Sequence, residues 1–377
     1  MTNQSSAVGP PHRRCRRRTP HIQTVRVLGT SAYPEPYPAN TIRRAVPELS
    51  SRTCTLGISA GQGCIRRSAV GKSDDTQMTL AVYHALTEVT DFDDIETVTG
   101  ALTRQFLLWQ VDPDNTRAPG RTCMKSLRNL RAGARWYDTD GAVESAGCGA
   151  VMRLVPAAFA PDPYWLGLTA LQAVITHKHP RAVVPALLLA DAIRHAPQRR
   201  GRFLEHALTS AAQIHNGTSA WIEDPYLRDV LAPITGDVSS YLVEGLNDGT
   251  ADILAAAAGR LEQLRPLPPT DFGDPCAGIG EGWESASAVA LALLVADLAT
   301  TDDHGPAAVT GPEALAWAST SNGDSDSIAC IAGGLIGSVH PEKGYWAAVG
   351  LTPTFEPRYA EEIATAASQL PAGDTTD

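Results

Sequence analysis

From Ser73 to about Val339 the apolar residues recur at three- to four-residue spacing, and no stretch shows sustained strand-like alternation. That period restricts the chain to packed helices. It predicts helices over 77–89, 91–110, 122–132, 162–177, 180–194, 200–215, two spans across 238–264, 284–298, 312–318 and 327–339. Asp112-Pro113-Asp114-Asn115 and a Pro/Gly-rich loop over 266–282 interrupt the series. The helices are Ala-rich, their connectors are short, and no repeat of fixed period is present. A compact all-α bundle therefore fits better than a solenoid. The end of the chain, from Gln369, is expected to fray.

Upstream the sequence is of another kind. Residues 1–72 carry 12 Lys/Arg against Glu35 and Glu48, a balance of +10, and the remainder carries 19 Lys/Arg against 39 Asp/Glu, a balance of −20. Residues 1–70 are rich in Pro, Ser, Thr and Arg and have no apolar period. They read as a basic irregular segment, either a disordered tail or a nucleic-acid arm without aromatic interleaving. The net charge of −10 argues against general nucleic-acid or anionic-membrane binding. No apolar h-region follows the arginine cluster at 13–18, and no run approaches the ~18 apolar residues of a membrane span. Seven cysteines with no CxxC pair fit reduced thiols, and a cytoplasmic location is expected.

Two acidic clusters stand at helix starts, Ser73-Asp74-Asp75-Thr76 and Gly323-Asp324-Ser325-Asp326-Ser327. Either one alone reads as a helix cap. Together they hold more carboxylates than caps need, and each precedes a helix too apolar to be exposed. Buried carboxylates call for a positive partner, and Lys72 supplies one charge only. Carboxylate and hydroxyl oxygens without nearby Cys or His suit Mg²⁺ or Mn²⁺ rather than Zn²⁺, and four carboxylates are enough for two ions. Such a pair points to hydrolytic or phosphate-linked chemistry. The small-residue helix after the second cluster, Ile328 to Ser338, suits the middle of a bundle.

Other features are weaker. Gly147-Cys148-Gly149 opens a helix and favours an anion at its N–H groups. Arg153 reads as a phosphate partner or a surface cation. His177 and His179 are wrongly spaced to share one helix face, and read as a turn before Pro180. Trp283 follows Gly280-Glu281-Gly282; it is suited to stacking on a base, but by itself reads as a core residue.

Taken in order, Ser73-Asp74-Asp75-Thr76-Gln77-Met78, Gly147-Cys148-Gly149-Ala150-Val151-Met152-Arg153, Thr176-His177 and Gly323-Asp324-Ser325-Asp326-Ser327-Ile328-Ala329 resemble the ADP-ribosylglycohydrolase family, over about residues 70–345. Gly280-Glu281-Gly282-Trp283-Glu284-Ser285-Ala286 adds to the likeness. The resemblance implies an orthogonal all-α bundle around a binuclear Mg²⁺ or Mn²⁺ site over residues 71–368. It further implies hydrolysis of the bond between ADP-ribose and a protein side chain or small molecule. A monomer is expected. The resemblance assigns Ser73, Asp74, Asp75, Asp324, Asp326 and Ser327 as metal ligands, with Asp75 and Asp324 as proton acceptors. Gly147, Cys148 and Gly149 would cradle the diphosphate, His177 a ribose or phosphate, and Trp283 the adenine.

The departures are specific. Ser73 and Ser327 stand where Thr is commoner, and Cys148 where Asn is frequent. The family's first helix, with its Gly-Asp-Ala-Leu-Gly-like motif, and the loop glutamate after it are not recognisable in residues 1–70. Translation in another frame is a third reading of that segment. Asp112 and Asp114 are candidates by position for the acid of arginine-specific members. The rival functions are a metal- and ADP-ribose-binding homologue without turnover, and a two-metal phosphohydrolase.

Overall fold

The sequence Ser285–Thr300 has one charge in sixteen positions, and a helix apolar on every face belongs at the centre of a bundle. A computed structural model describes residues 73–302, 305–340, 344–351 and 355–369. The basic segment over 1–70, with its alternative readings, and Lys72 lie outside the described residues. Among the described residues fifteen α-helices follow in order. They are α1 (Asp74–Glu88), α2 (Ile95–Val111), α3 (Arg121–Arg131), α4 (Val155–Ala158), α5 (Trp165–Val174), α6 (Pro180–Arg194), α7 (Phe203–His215) and α8 (Pro225–Leu231). Then come α9 (Val238–Asn247), α10 (Thr250–Leu264), α11 (Ser285–Thr300), α12 (Gly311–Ala318), α13 (Ser325–Val339), α14 (Tyr345–Ala348) and α15 (Pro357–Gln369). No β-ladder occurs among the described residues, and the expected all-α class holds.

Helix α11 packs against α6, α7, α10, α12 and α13, and α13 reaches in turn to α1. The small-residue helix is therefore central, as expected, but α11 is more deeply enclosed. Its charge, Asp297, accepts from the N–H groups of Phe203 and Leu204 at 2.6 and 3.0 Å. One helix thus caps the first turn of another.

Most boundaries fall within three residues of the sequence expectation. The clearest shifts come where acids fill a first turn or where a helix stops early. Helix α1 begins at Asp74 and takes both acids into its first turn. Helix α5 ends at Val174, so His177 lies beyond it. The sequence reading missed α8, α14 and α15, and the helix expected after the glycine turn is only the four-residue α4. Helix α8 had a readable start, since Asp224 accepts from Leu227 N–H at 2.7 Å and Pro225 follows it.

Helix α15 covers the outer face of α1. Leu80 and Tyr83 pack with Tyr359 and Ile363, and Gln77 Nε2 donates to Tyr359 Oη at 2.8 Å. Arg358 pairs with both Asp112 and Asp114, and Arg117 with Glu356 at 2.6 Å. Hydrogen bonding to Arg358 holds the Asp112 carboxyl below its usual range. These two acids anchor the loop after α2 to the last helix, so neither is an uncommitted acid for substrate recognition.

Candidate active site

Helices α1 and α13 start side by side. Ser73 is the N-cap of α1 and Asp324 that of α13, and neither side chain makes a capping hydrogen bond. The two clusters are joined instead through Ser327 and Asp75. Ser327 Oγ donates to Asp75 Oδ1 at 2.8 Å, and Ser73 Oγ to Asp75 Oδ2 at 2.5 Å. Asp74 Oδ2 accepts from Gly120 N–H at 3.1 Å, at the start of α3. Cys148 Sγ donates to Asp324 Oδ2 at 3.0 Å and lies 3.9 Å from Ser327 Oγ. Ser73, Asp74, Asp75, Asp324 and Ser327 are buried, and Asp326 is half-buried.

The electrostatics agree with this gathering. Burial raises the proton affinity of Asp74, and the charges of Asp75, Asp326 and Asp324 raise it further. Asp75 is raised first by burial and then by Asp326, and Asp324 by burial, Asp326 and Asp75. Among the described residues no Lys, Arg or His forms an ion pair with any of the four. Nor, among those residues, are three His, Cys, Asp or Glu side chains arranged to hold a metal ion. The carboxyls are near enough to repel, and hydroxyl, thiol and backbone donors supply hydrogen bonds to Asp75, Asp324 and Asp74. In donor chemistry the set fits hard divalent cations, which would replace those donors at an all-oxygen cluster.

The glycine turn sits beside this cluster. It forms a 3₁₀ turn, Cys148–Ala150, followed only by the short α4, rather than a long helix. Cys148 N–H donates to Trp283 O at 3.0 Å, Ser285 N–H to Ala146 O at 2.8 Å and Ser285 Oγ to Gly147 O at 2.8 Å. Gly147 N–H donates to Ser145 Oγ at 3.2 Å. The N–H groups of Gly147 and Cys148 are thus spent on the fold. The same 280–285 loop holds α13, because Asp324 N–H donates to Glu281 O at 2.7 Å. A Cβ on Gly323 would stand 1.9 Å from that carbonyl oxygen, so no other residue fits.

His177 lies beneath the turn and is buried. Its backbone pairs with Val143, and its ring would meet a Cβ on Gly149 at 2.7 Å and on Gly147 at 3.2 Å. Burial, and secondly the charge of Arg153, push its pKa down to about 3, so the imidazole is neutral. Arg153 is neither a surface cation nor within reach of a phosphate at the surface. It is wholly buried, bonded to Gln172 and Thr176, with its guanidinium 4.4 Å from the centre of the Phe106 ring. Trp283 departs from the core reading in the other direction. It is 46% exposed, and Nε1 donates to Glu281 Oε2 at 3.0 Å.

The structure therefore brings Ser73, Asp74, Asp75, Asp324, Asp326 and Ser327 together, with Cys148 against them. Gly147, Gly149 and Trp283 adjoin Cys148 along the chain or through the loop pairing. Sequence reasoning missed Gly120 and the backbone of Glu281. Pro119-Gly120 before a helix start was a legible signal for the first, and nothing short of the fold points to the second.

No curated protein matches the chain. The profile of the ADP-ribosylglycohydrolase family matches residues 27–363, beyond both ends of the region carrying the recognised motifs. With the profile spanning nearly its whole length, and the two acidic motifs meeting at one place, the chain belongs to the ADP-ribosylglycohydrolase family.

Proposed function

We propose that the protein is a Mg²⁺- or Mn²⁺-dependent hydrolase of ADP-ribose conjugates, acting on an ADP-ribosylated protein or small molecule. The observation that supports this most directly is the meeting of Asp74 and Asp75 with Asp324 and Asp326, without an ion pair among the described residues. Ser73, Asp74, Asp75, Asp324, Asp326 and Ser327 would hold two ions. When bound, such ions supply Lewis acidity and an activated water.

The chain's own residues have separate tasks. Asp324 or Asp75 accepts the proton of the water that adds to the anomeric carbon. The bond from that carbon to the leaving nitrogen or oxygen breaks, and the leaving group takes up the proton. The glycine turn, whose missing side chains let the His177 ring pack against it, would receive the diphosphate. The exposed indole of Trp283 offers a face to the adenine.

Release of free ADP-ribose from an ADP-ribosylated protein in the presence of Mn²⁺ tests the proposal. Turnover that survives Asp74→Ala combined with Asp326→Ala would remove the site assignment. Release of inorganic phosphate in place of ADP-ribose would point to a phosphohydrolase. The hydrogen bonds closing Asp75 and Asp324 favour a second reading, a protein that binds ADP-ribose without turnover. Calorimetry with ADP-ribose, run beside the turnover assay, separates the two.

A further inference from the structure

One chain of hydrogen bonds beneath the glycine turn has a direction. A guanidinium carries N–H donors only, so Thr176 Oγ1 must accept from Arg153 Nη2, 2.6 Å away. The orientation of Arg153 is overdetermined. Its Nε donates to Gln172 Oε1 at 2.9 Å and its Nη2 also to Gln172 O at 2.6 Å. Gln172 in turn has its amide nitrogen on Ala150 O and Thr169 O, which fixes its oxygen toward Arg153.

Thr176 has a single hydrogen left to give. Three acceptors are near it, His177 Nδ1 at 2.8 Å, Ala173 O at 3.5 Å and the Cys123 sulfur, a weak acceptor. A second lone pair on Oγ1 could accept from an Nδ1–H, but the hydroxyl would then be left with only the long contact to Ala173 O or a thiol to donate to, so donation to Nδ1 is the better-satisfied arrangement. A neutral imidazole that accepts at Nδ1 carries its proton on Nε2. Nε2 makes no hydrogen bond among the described residues, in a side chain that is almost wholly buried. It stands 3.2 Å from where a Cβ on Gly147 or on Gly149 would be.

We infer that Thr176, oriented by Arg153, holds His177 as the Nε2–H tautomer and so aims a neutral hydrogen-bond donor at the glycine turn. Thr176 is then a positioning residue, acting on the ligand through His177. The ring does not need to choose its tautomer when ligand arrives, because a permanently charged group has chosen it already. The ligand this donor suits is an oxyanion or a ribose hydroxyl, which rests on the ADP-ribose reading given above.

The test is long-range ¹H–¹⁵N correlation of the full-length protein labelled at histidine nitrogen, with a His177→Gln spectrum for assignment. The expected wild-type result is a pyrrole-like Nε2 and a pyridine-like Nδ1 near pH 7. A protonated Nδ1 would overturn the inference, and this needs no folded Thr176 variant. Thr176→Val should give a mixture of tautomers, and Thr176→Ser should restore the wild-type pattern. ADP-ribose affinity should fall about tenfold in Thr176→Val, the loss of about one oriented hydrogen bond, and recover in Thr176→Ser. KM should carry that change while kcat stays within about twofold, as for a lost binding contact. Unchanged affinity in a Thr176→Val protein with mixed tautomers would overturn the positioning role. Should the wild type show Nε2–H but bind no ADP-ribose, the functional reading fails and the tautomer assignment stands.

Discussion

Ser327 Oγ donates to Asp75 Oδ1 at 2.8 Å, joining residues 252 positions apart. This bond, and the one from Ser73, satisfy both oxygens of a carboxyl that is 1% exposed. Ser327→Ala should cost about 1–2 kcal/mol in urea unfolding with chelator present, the usual effect of orphaning a buried acceptor. Ser327→Thr retains the hydroxyl and should restore most of that loss. Equal stability of the Ala variant and wild type would count against the bond.

Divalent ions should stabilise the fold by neutralising four mutually repelling carboxyls. Thermal melting with Mg²⁺ or Mn²⁺ at a hundred times the dissociation constant should gain about 2.7 kcal/mol over the chelated protein. Asp326→Ala should lose most of the gain. A melting temperature that ignores both ions would remove the metal assignment.

Gly149 and Gly323 should tolerate no side chain. Gly149→Ala places a methyl 2.7 Å from His177 Cε1 and 2.9 Å from Cys123 Sγ, an overpacking that costs about 1–3 kcal/mol. Gly323→Ala meets a backbone oxygen that cannot step aside, and should be the worse of the two. Gly100→Ala, in the exposed middle of α2 with open space around it, is the control and should stabilise by about 0.5–1 kcal/mol. Equilibrium denaturation of the three variants ranks them.

Trp283→Ala should separate binding from folding. The indole is half-exposed, so stability should stay within about 0.5 kcal/mol of wild type. ADP-ribose binding should weaken by about 1–3 kcal/mol if the ring stacks on the base. Calorimetry and a melt on the same sample give both numbers, and a variant that binds like wild type would exclude the adenine role.

His177 should make the fold acid-sensitive. Its pKa lies near 3 in the fold against an ordinary value of 6.5. Between those values the unfolded chain binds the extra proton, so stability is full above pH 6.5 and falls as the pH drops toward 3. The slope from this group is at most about 1.4 kcal/mol per pH unit. Denaturation midpoints of wild type and His177→Gln, compared from pH 7 to 4.5, should converge as acid is added. Parallel curves would show that His177 is not held neutral.

The glycine turn shows where sequence reading stops. A Gly-Cys-Gly run announces a tight turn and an anion at its N–H groups, and the turn is there. Two of those N–H groups are nevertheless used by Ser145 and Trp283, a partner 135 residues away. Arg153 is a similar case. An arginine four residues past the turn gives no sign of whether it faces solvent or the core. Its burial depends on acceptors from α5, sulfur from α1 and α3, and an aromatic face from α2.

The sequence by itself determined the helical class, most helix boundaries and the two acidic clusters, because apolar period, caps and chain breaks act within a few residues. Tertiary structure alone decided that Asp75 and Ser327 meet, that Asp112 and Asp114 pair with Arg358, and that Trp283 stays outside. Those outcomes depend on which groups meet after distant helices pack. Burial and charge then act between residues that the chain places far apart.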